Sequence, residues 1–237
     1  MQKPSRFTML ILPVLLALLL ALTGCSGMIQ RFAPTPTPTA SPTAEPMLKV
    51  DGIPITFGQS SQNSYINEYF DIAIDLDDLW FAEDTRQLDQ INGFAVQLSD
   101  EKRQQAYLDL LNSGNSVTEF YAHTNTGLEA IHVQCYDYSQ QENQYPDITM
   151  HFIENSFKLR DLLVSNGYNM LDGLSLTADI AGSMQFCFYF SYERDGVVWD
   201  CAMVMMKRDN YVMTILFSSM VTKHAKEMIT LVHKPVQ

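Results

Sequence analysis

The sequence predicts one α+β domain, a mainly antiparallel sheet covered by helices on both faces. Three observations carry that reading. Met184 to Arg194 and Val197 to Met206 flank Asp195-Gly196, the strongest hairpin signal in the chain, and hairpin connections make a sheet antiparallel. Phe186-Cys187-Phe188-Tyr189-Phe190 and Cys201-Ala202-Met203-Val204-Met205-Met206 are apolar on both parities, whereas strands with one wet face alternate. Segments with helical spacing and capping residues are interleaved with the strands, so helices are available to cover the sheet.

Residues 1–24 read as a processing segment. Lys3 and Arg6 make its start positive, and Met9 to Leu22 is an apolar run broken only by Pro13, short for a permanent membrane span. The run closes on Leu22-Thr23-Gly24-Cys25, which resembles the lipobox of bacterial lipoproteins. That resemblance implies diacylglycerol on the Cys25 sulfur and cleavage between Gly24 and Cys25. The expected product is a protein anchored in membrane lipid through acylated Cys25, on the extracytoplasmic face of the cell membrane. Small residues before the cut suit a narrow protease cleft, and the thiol is the nucleophile that takes the lipid.

Residues 25–46 read as a spacer, because Ala33 to Pro46 alternates Pro with Thr and Ser. Such a stretch favours polyproline II at about 3.1 Å per residue. Removing residues 1–24 takes away two basic groups and no acidic one, moving the formal charge from −12 to −14. An acidic body is repelled by anionic lipid, which gives a spacer its physical purpose. The same charge, with a sequence pI near 4.7, argues against nucleic acid as a partner.

Met47 to Gln237 reads as a single domain, since no second linker interrupts it. Asp84 to Ile91 is a short helix stopped by Asn92-Gly93. Ser99 caps the next, with Asp100 and Glu101 in its first turn, Tyr107, Leu110 and Leu111 on its apolar face, and Gly114 at its end. Asp147 to Ser165 is the longest helix, burying Ile148, Phe152, Leu159, Leu162 and Leu163. A last helix is expected from about Met220 to Val232. Strands are expected at Tyr69 to Asp75, Val117 to Thr124, Leu128 to Tyr138, Leu174 to Ile180, and Tyr211 to Ser218, besides the two around Asp195-Gly196. Trp80, Ile72, Ile74, Phe152, Leu159, Phe188, Phe190, Met203, Ile215 and Phe217 are the expected core.

Tyr65-Ile66-Asn67-Glu68-Tyr69-Phe70, followed by Leu76-Asp77-Asp78-Leu79-Trp80, resembles the opening of PsbP-like domains. There a Tyr-x-Asn-x-Tyr-Phe strand leads into a Leu-Pro-x-x-Trp turn; Trp80 matches, while Asp77 stands in the proline position. The order of elements is similar to that fold from about residue 60 to 232. The resemblance implies an antiparallel sheet between helical layers. Its relatives include a photosystem II accessory subunit and a Ran-binding import factor, both binding proteins, which points away from catalysis.

The residues themselves supply no catalytic constellation. Neither a nucleophile elbow, a phosphate loop nor a dinucleotide fingerprint occurs, and no cofactor is expected. His123 and His132, on adjacent strands, form the one arrangement able to give two metal ligands, and no third is evident. Asp75, Asp77 and Asp78 read as solvated turn carboxylates rather than a Ca²⁺ site. Met203, Met205, Met206 and Met213 read as core filling rather than a Cu(I) site. With Asp195-Gly196 as a two-residue loop, Cys187 faces Val204 and Cys201 faces Phe190. The two thiols then lie on opposite sheet faces, and with Cys135 they read as buried and unpaired.

These features lead to the expectation of a non-catalytic binding or accessory module with a protein or envelope partner. An envelope hydrolase, a metal-dependent enzyme with a site assembled from distant residues, and a solute-binding receptor are the alternatives. The high negative charge and the polar Asn67 and Glu68 on an expected edge strand predict a monomeric domain.

Overall fold

The computed structural model describes residues 49–50, 53–139, 148–221 and 223–236. Residues 1–46, with the lipobox, Cys25 and the spacer, lie outside the described residues, as does the expected helix start at Asp147. In chain order the elements are β1 (Lys49–Val50), β2 (Ile53–Pro54), β3 (Gln59–Ser60), β4 (Ser64–Asn67), β5 (Ile72–Asp75), β6 (Trp80–Ala82), α1 (Thr85–Ile91) and α2 (Asp100–Asn112). Then come β7 (Val117–Thr124), β8 (Glu129–Asp137), α3 (Ile148–Ser165), β9 (Asn169–Ile180), β10 (Ser183–Arg194), β11 (Val197–Arg208), β12 (Tyr211–Ser219), α4 (His224–Met228), a 3₁₀ turn (Ile229–Leu231) and β13 (Val232–His233).

Asp195 and Gly196, at φ 54° and 79°, turn β10 onto β11 with Arg194 opposite Val197. Positive φ at both turn positions matches the right-handed twist of the strands, as in a type I′ hairpin. Ala181-Gly182, also at positive φ, joins β9 to β10. The result is an antiparallel seven-stranded sheet in the order β6-β7-β8-β12-β11-β10-β9.

Both faces are covered. On one, Phe188, Phe190, Tyr192, Met203, Met205, Val212 and Leu216 pack against Phe152, Leu159 and Leu163 of α3. Phe188, Phe190 and Tyr192 stack along β10, and Tyr192 stacks on Trp199 across the hairpin at 6.4 Å. On the other face, Val133, Val204, Met213, Ile215 and Phe217 share a core with Tyr107 and Leu111 of α2 and Ala225 and Met228 of α4. A small antiparallel sheet, β13-β5-β4-β3, contributes Tyr65, Ile72 and Ile74 to that second core. Helices therefore lie on both sides as expected, and one side carries a sheet as well. All ten side chains expected in the core are buried.

Among the differences from expectation, three concern the small sheet and the last helix. The strand anticipated from Tyr69 begins at Ile72, because Glu68 to Asp71 form the turn of a β4–β5 hairpin, with Asp71 at φ 55°. β4 is flanked by β5 and β3, so it is no edge strand, and Asn67 is buried rather than a polar guard. The last helix is limited to His224–Met228 and its 3₁₀ extension. Left-handed Lys223 precedes it, and Val232-His233 pairs with Ala73-Ile74 instead of continuing the helix. Tertiary pairing overrides helical spacing there.

Candidate functional site

The site begins with a β-bulge. Val117 pairs with Cys135 and Thr118 with Gln134, but the next pair is Phe120 with Val133, which leaves Glu119 as the extra residue. The bulge turns Glu119 and Phe120 toward the small sheet. Phe120 stacks on Tyr65 at 5.1 Å. Glu119 Oε2 accepts three hydrogen bonds, from the Gly58 amide (2.5 Å), the Tyr65 hydroxyl (2.9 Å) and the Asn67 side-chain amide (2.9 Å). Asn67 is itself oriented, because its Oδ1 accepts from the Phe70 amide at 2.9 Å. Gly58 is the residue type this approach needs: a Cβ there would lie 2.2 Å from Tyr65 Cε2.

Glu119 is 4% exposed. Burial pushes its carboxyl up to about 7, opposed by the three donors that favour the charged form. Burial, and then the charge of Glu119, push the Tyr65 phenol up as well.

A second buried acid sits on α1. Asp84 caps that helix in a reciprocal pair with Gln87, and the helix carries Asp89 into the interior at 0% exposure. Asp89 accepts from Arg103 Nε (2.8 Å) and Nη2 (3.1 Å), from the Leu98 amide (2.8 Å) and from the Tyr107 hydroxyl (3.4 Å). Arg103 also donates to Asp100 and to the Leu98 carbonyl. This fork-to-fork pair clamps α2 to α1. Ser99 occupies the N-cap of α2 in extended geometry, although its side chain makes no capping bond.

Between these two clusters lies a cavity of about 390 Å³. Glu119 reaches it from the bulge, Phe57 and Gly58 from the strand side, Leu88 from α1, and Asp100, Arg103 and Tyr107 from α2. Phe57 and Tyr107 meet edge to face at 5.3 Å. Among the described residues, no His, Cys or Lys lines it. Another cavity of about 390 Å³ lies between α3 and β9, where Arg160 covers the Phe157 ring at 5.4 Å.

The residues singled out from the sequence lie elsewhere. His123 and His132 share one sheet face, with the Tyr121 ring 6.2 Å from the first and 5.5 Å from the second. His132 is buried at 3.0 Å from Thr118 Oγ1, and burial pushes it down to about 3, so it is neutral near pH 7. His123 sits 3.7 Å from Glu83, whose hydrogen bond raises its pKa. Among the described residues no three His, Cys, Asp or Glu side chains form a group able to hold a metal ion. Asp75 bonds His233, Asp77 accepts from the Leu79 amide, and Asp78 accepts from Asn63. Met203 and Met205 belong to one core, Met206 and Met213 to the other. Cys135, Cys187 and Cys201 are free and buried, and the hairpin register pairs Cys187 with Val204 and Phe190 with Cys201.

Sequence reasoning missed Glu119, Asp89 and Arg103. The available signal for Glu119 was weak: an acidic residue inside a run of strand-forming apolar residues, without anything to mark the bulge.

No protein-family model matches the sequence, and no curated protein matches it. Among solved structures, the chain is similar to the solution structure of cyanobacterial PsbP from Synechocystis, at 11% identity and a TM-score of 0.44, over 81% of this chain and 100% of the other. A Bacteroides thetaiotaomicron crystal structure aligns at 8% identity and a TM-score of 0.33, over 75% of this chain and 50% of the other. A Pseudomonas aeruginosa protein of unknown function aligns at 16% identity and a TM-score of 0.26, over 52% and 83%. These likenesses concern backbone shape alone.

Proposed function

We propose that the protein is a lipid-anchored binding module displayed on the extracytoplasmic face of the cell membrane. Residues 1–24 are its signal peptide, acylated Cys25 its anchor, residues 25–46 its spacer, and residues 47–237 a single monomeric domain that engages a protein or envelope partner. The observation that carries the binding role is the state of the cleft. Arg103 is committed to Asp89, Asp100 and the Leu98 carbonyl, and Glu119 Oε2 to three donors. Such groups hold a rigid polar recess, and no His or Cys stands beside Glu119 in its lining to act as a base or nucleophile. Among the described residues no helix is long and apolar enough to cross a membrane, so this part of the chain offers no helical span in place of Cys25.

One observation favours a second reading. A carboxyl poised near 7 in a cleft suits general acid–base catalysis, as a hydrolase would require. The two readings separate in a turnover assay on the full chain in detergent, using ester, amide and glycoside substrates. The binding reading expects no turnover; turnover lost in Glu119→Gln would replace it with the enzyme reading.

Anchoring has its own test. Cys25→Ala should abolish incorporation of labelled palmitate and leave the precursor at its full length on a gel. Continued labelling of that variant would overturn the assignment of Cys25.

A further inference from the structure

The cavity beside Glu119 has a charge pattern that selects a ligand class. Arg103 brings a positive charge to it, but Asp89 and Asp100 both bond that guanidinium, so the trio is net negative. Among the described residues Glu119 has no cationic partner. Its three donors are an amide, a phenol and a carboxamide, all neutral and all on Oε2. Oε1 takes none of them, and Glu119 is among the residues that line the cavity. Phe57, Leu88 and Tyr107 supply apolar and aromatic wall, and the volume of about 390 Å³ falls in the range of small-molecule sites.

We propose that this cleft binds a small protonated organic amine, its ammonium seated on Glu119 Oε1 and its carbon chain lying against Phe57, Leu88 and Tyr107. An ammonium supplies the donors that the unused oxygen lacks and the counter-charge that a buried carboxylate lacks. Aromatic faces add cation–π attraction. An anion would meet two carboxylates and an arginine with four of its five N–H groups already bonded. Among the described residues a metal ion would find only Asp100 and Glu119 as carboxylates in the lining, too few for an oxygen cage. This inference goes beyond the proposed role in partner binding and does not depend on it.

The groups facing Glu119 are Tyr65 and Asn67 from β4, Asp100, Arg103 and Tyr107 across the cavity from α2, and Cys135 from β8, whose thiol feels its charge. Burial raises the thiol and phenol pKa values of Cys135, Tyr65 and Tyr107, so Glu119 is the group among these that changes charge near neutrality. Amine affinity should therefore rise with its ionisation, by roughly tenfold between pH 6 and pH 8.

The test is calorimetric titration of the full chain in detergent with 1,4-diaminobutane, against 1,4-butanediol as the neutral match, in physiological salt. The amine should bind, more tightly at pH 8 than at pH 6, and the diol should not. Glu119→Gln keeps the side chain's shape and should weaken amine binding at least tenfold. Gln104→Lys, on an exposed position of α2 at the cavity, should also weaken it by placing a tethered ammonium in the site. No amine binding by the natural chain at pH 8, equal binding of the diol, or undiminished binding by a folded Glu119→Gln would each overturn the proposal. None of these results bears on the palmitate or turnover assays.

Discussion

Replacing Arg103 with Ala is expected to destabilise the domain by about 3 to 5 kcal/mol, the usual cost of stranding a buried charge. Asp89 is fully buried, and Arg103 supplies two of the hydrogen bonds it accepts and its counter-ion. In Arg103→Ala the Leu98 amide and the Tyr107 hydroxyl remain, but both are neutral. The change also unclamps α2 from α1 and loosens one wall of the cavity. At about 2 to 4 °C per kcal/mol for a domain of this size, the melting temperature should fall by roughly 10 °C. The double replacement Asp89→Leu with Arg103→Met removes both charges while keeping volume, and should recover much of the loss. Thermal unfolding of the three proteins decides the matter. A loss below about 1 kcal/mol in Arg103→Ala would mean that the pair behaves as an exposed one.

The second large effect is a pH dependence set by Glu119. Burial pushes its carboxyl up to about 7 in the folded protein against 4.5 for an ordinary glutamate in water, so the folded state binds this proton more tightly. Stability falls as pH rises wherever the folded state holds more protons than the unfolded one. The fold should thus be strongest at this site below about pH 4.5, weaken as pH rises through 7, and level off above it. The difference corresponds to about 3 kcal/mol at 1.36 kcal/mol per unit. Glu119→Gln resembles the protonated form, since one amide oxygen can still face the Gly58, Tyr65 and Asn67 donors. It should match the natural protein at pH 4.5 and exceed it by about 3 kcal/mol at pH 8.5. Urea unfolding at those two pH values checks this; an equal difference between the two proteins at both would show that Glu119 titrates alike in the folded and unfolded states.

Much of the fold was legible in the sequence because it is encoded locally. Asp195-Gly196 fixes one hairpin register, and with it the opposed positions of Cys187 and Cys201. Asp84 and Asn92 bracket a helix through their own side chains. The buried partners of Phe152 and Phe188 follow from periodicity. What escaped is what depends on distant segments. Val232-His233 leaves the helical pattern because β5 is there to pair with it. Trp80 begins a strand rather than ending a turn, because Thr124 lies opposite. The cleft draws on three stretches, around Phe57, from Thr85 to Tyr107, and at Glu119, and none is distinctive alone. A bulge leaves no spacing signature either, so an inward carboxylate at 119 looks like any strand glutamate.

The register that parts Cys187 from Cys201 governs how the chain meets oxidants. Pairing them would require β10 or β11 to slip by three residues, an odd number that would carry every apolar side chain of that strand to the opposite layer. Cys135 shares a core with Cys187, but β12 and β11 stand between their strands, and neighbouring strands are about 4.8 Å apart. Burial also raises all three thiol pKa values, so little thiolate forms. The finished domain therefore resists thiol–disulfide exchange at these three positions. The vulnerable interval is the time before the sheet closes. A thiol-specific dye then becomes a clock for unfolding, since modification waits on the sheet coming apart.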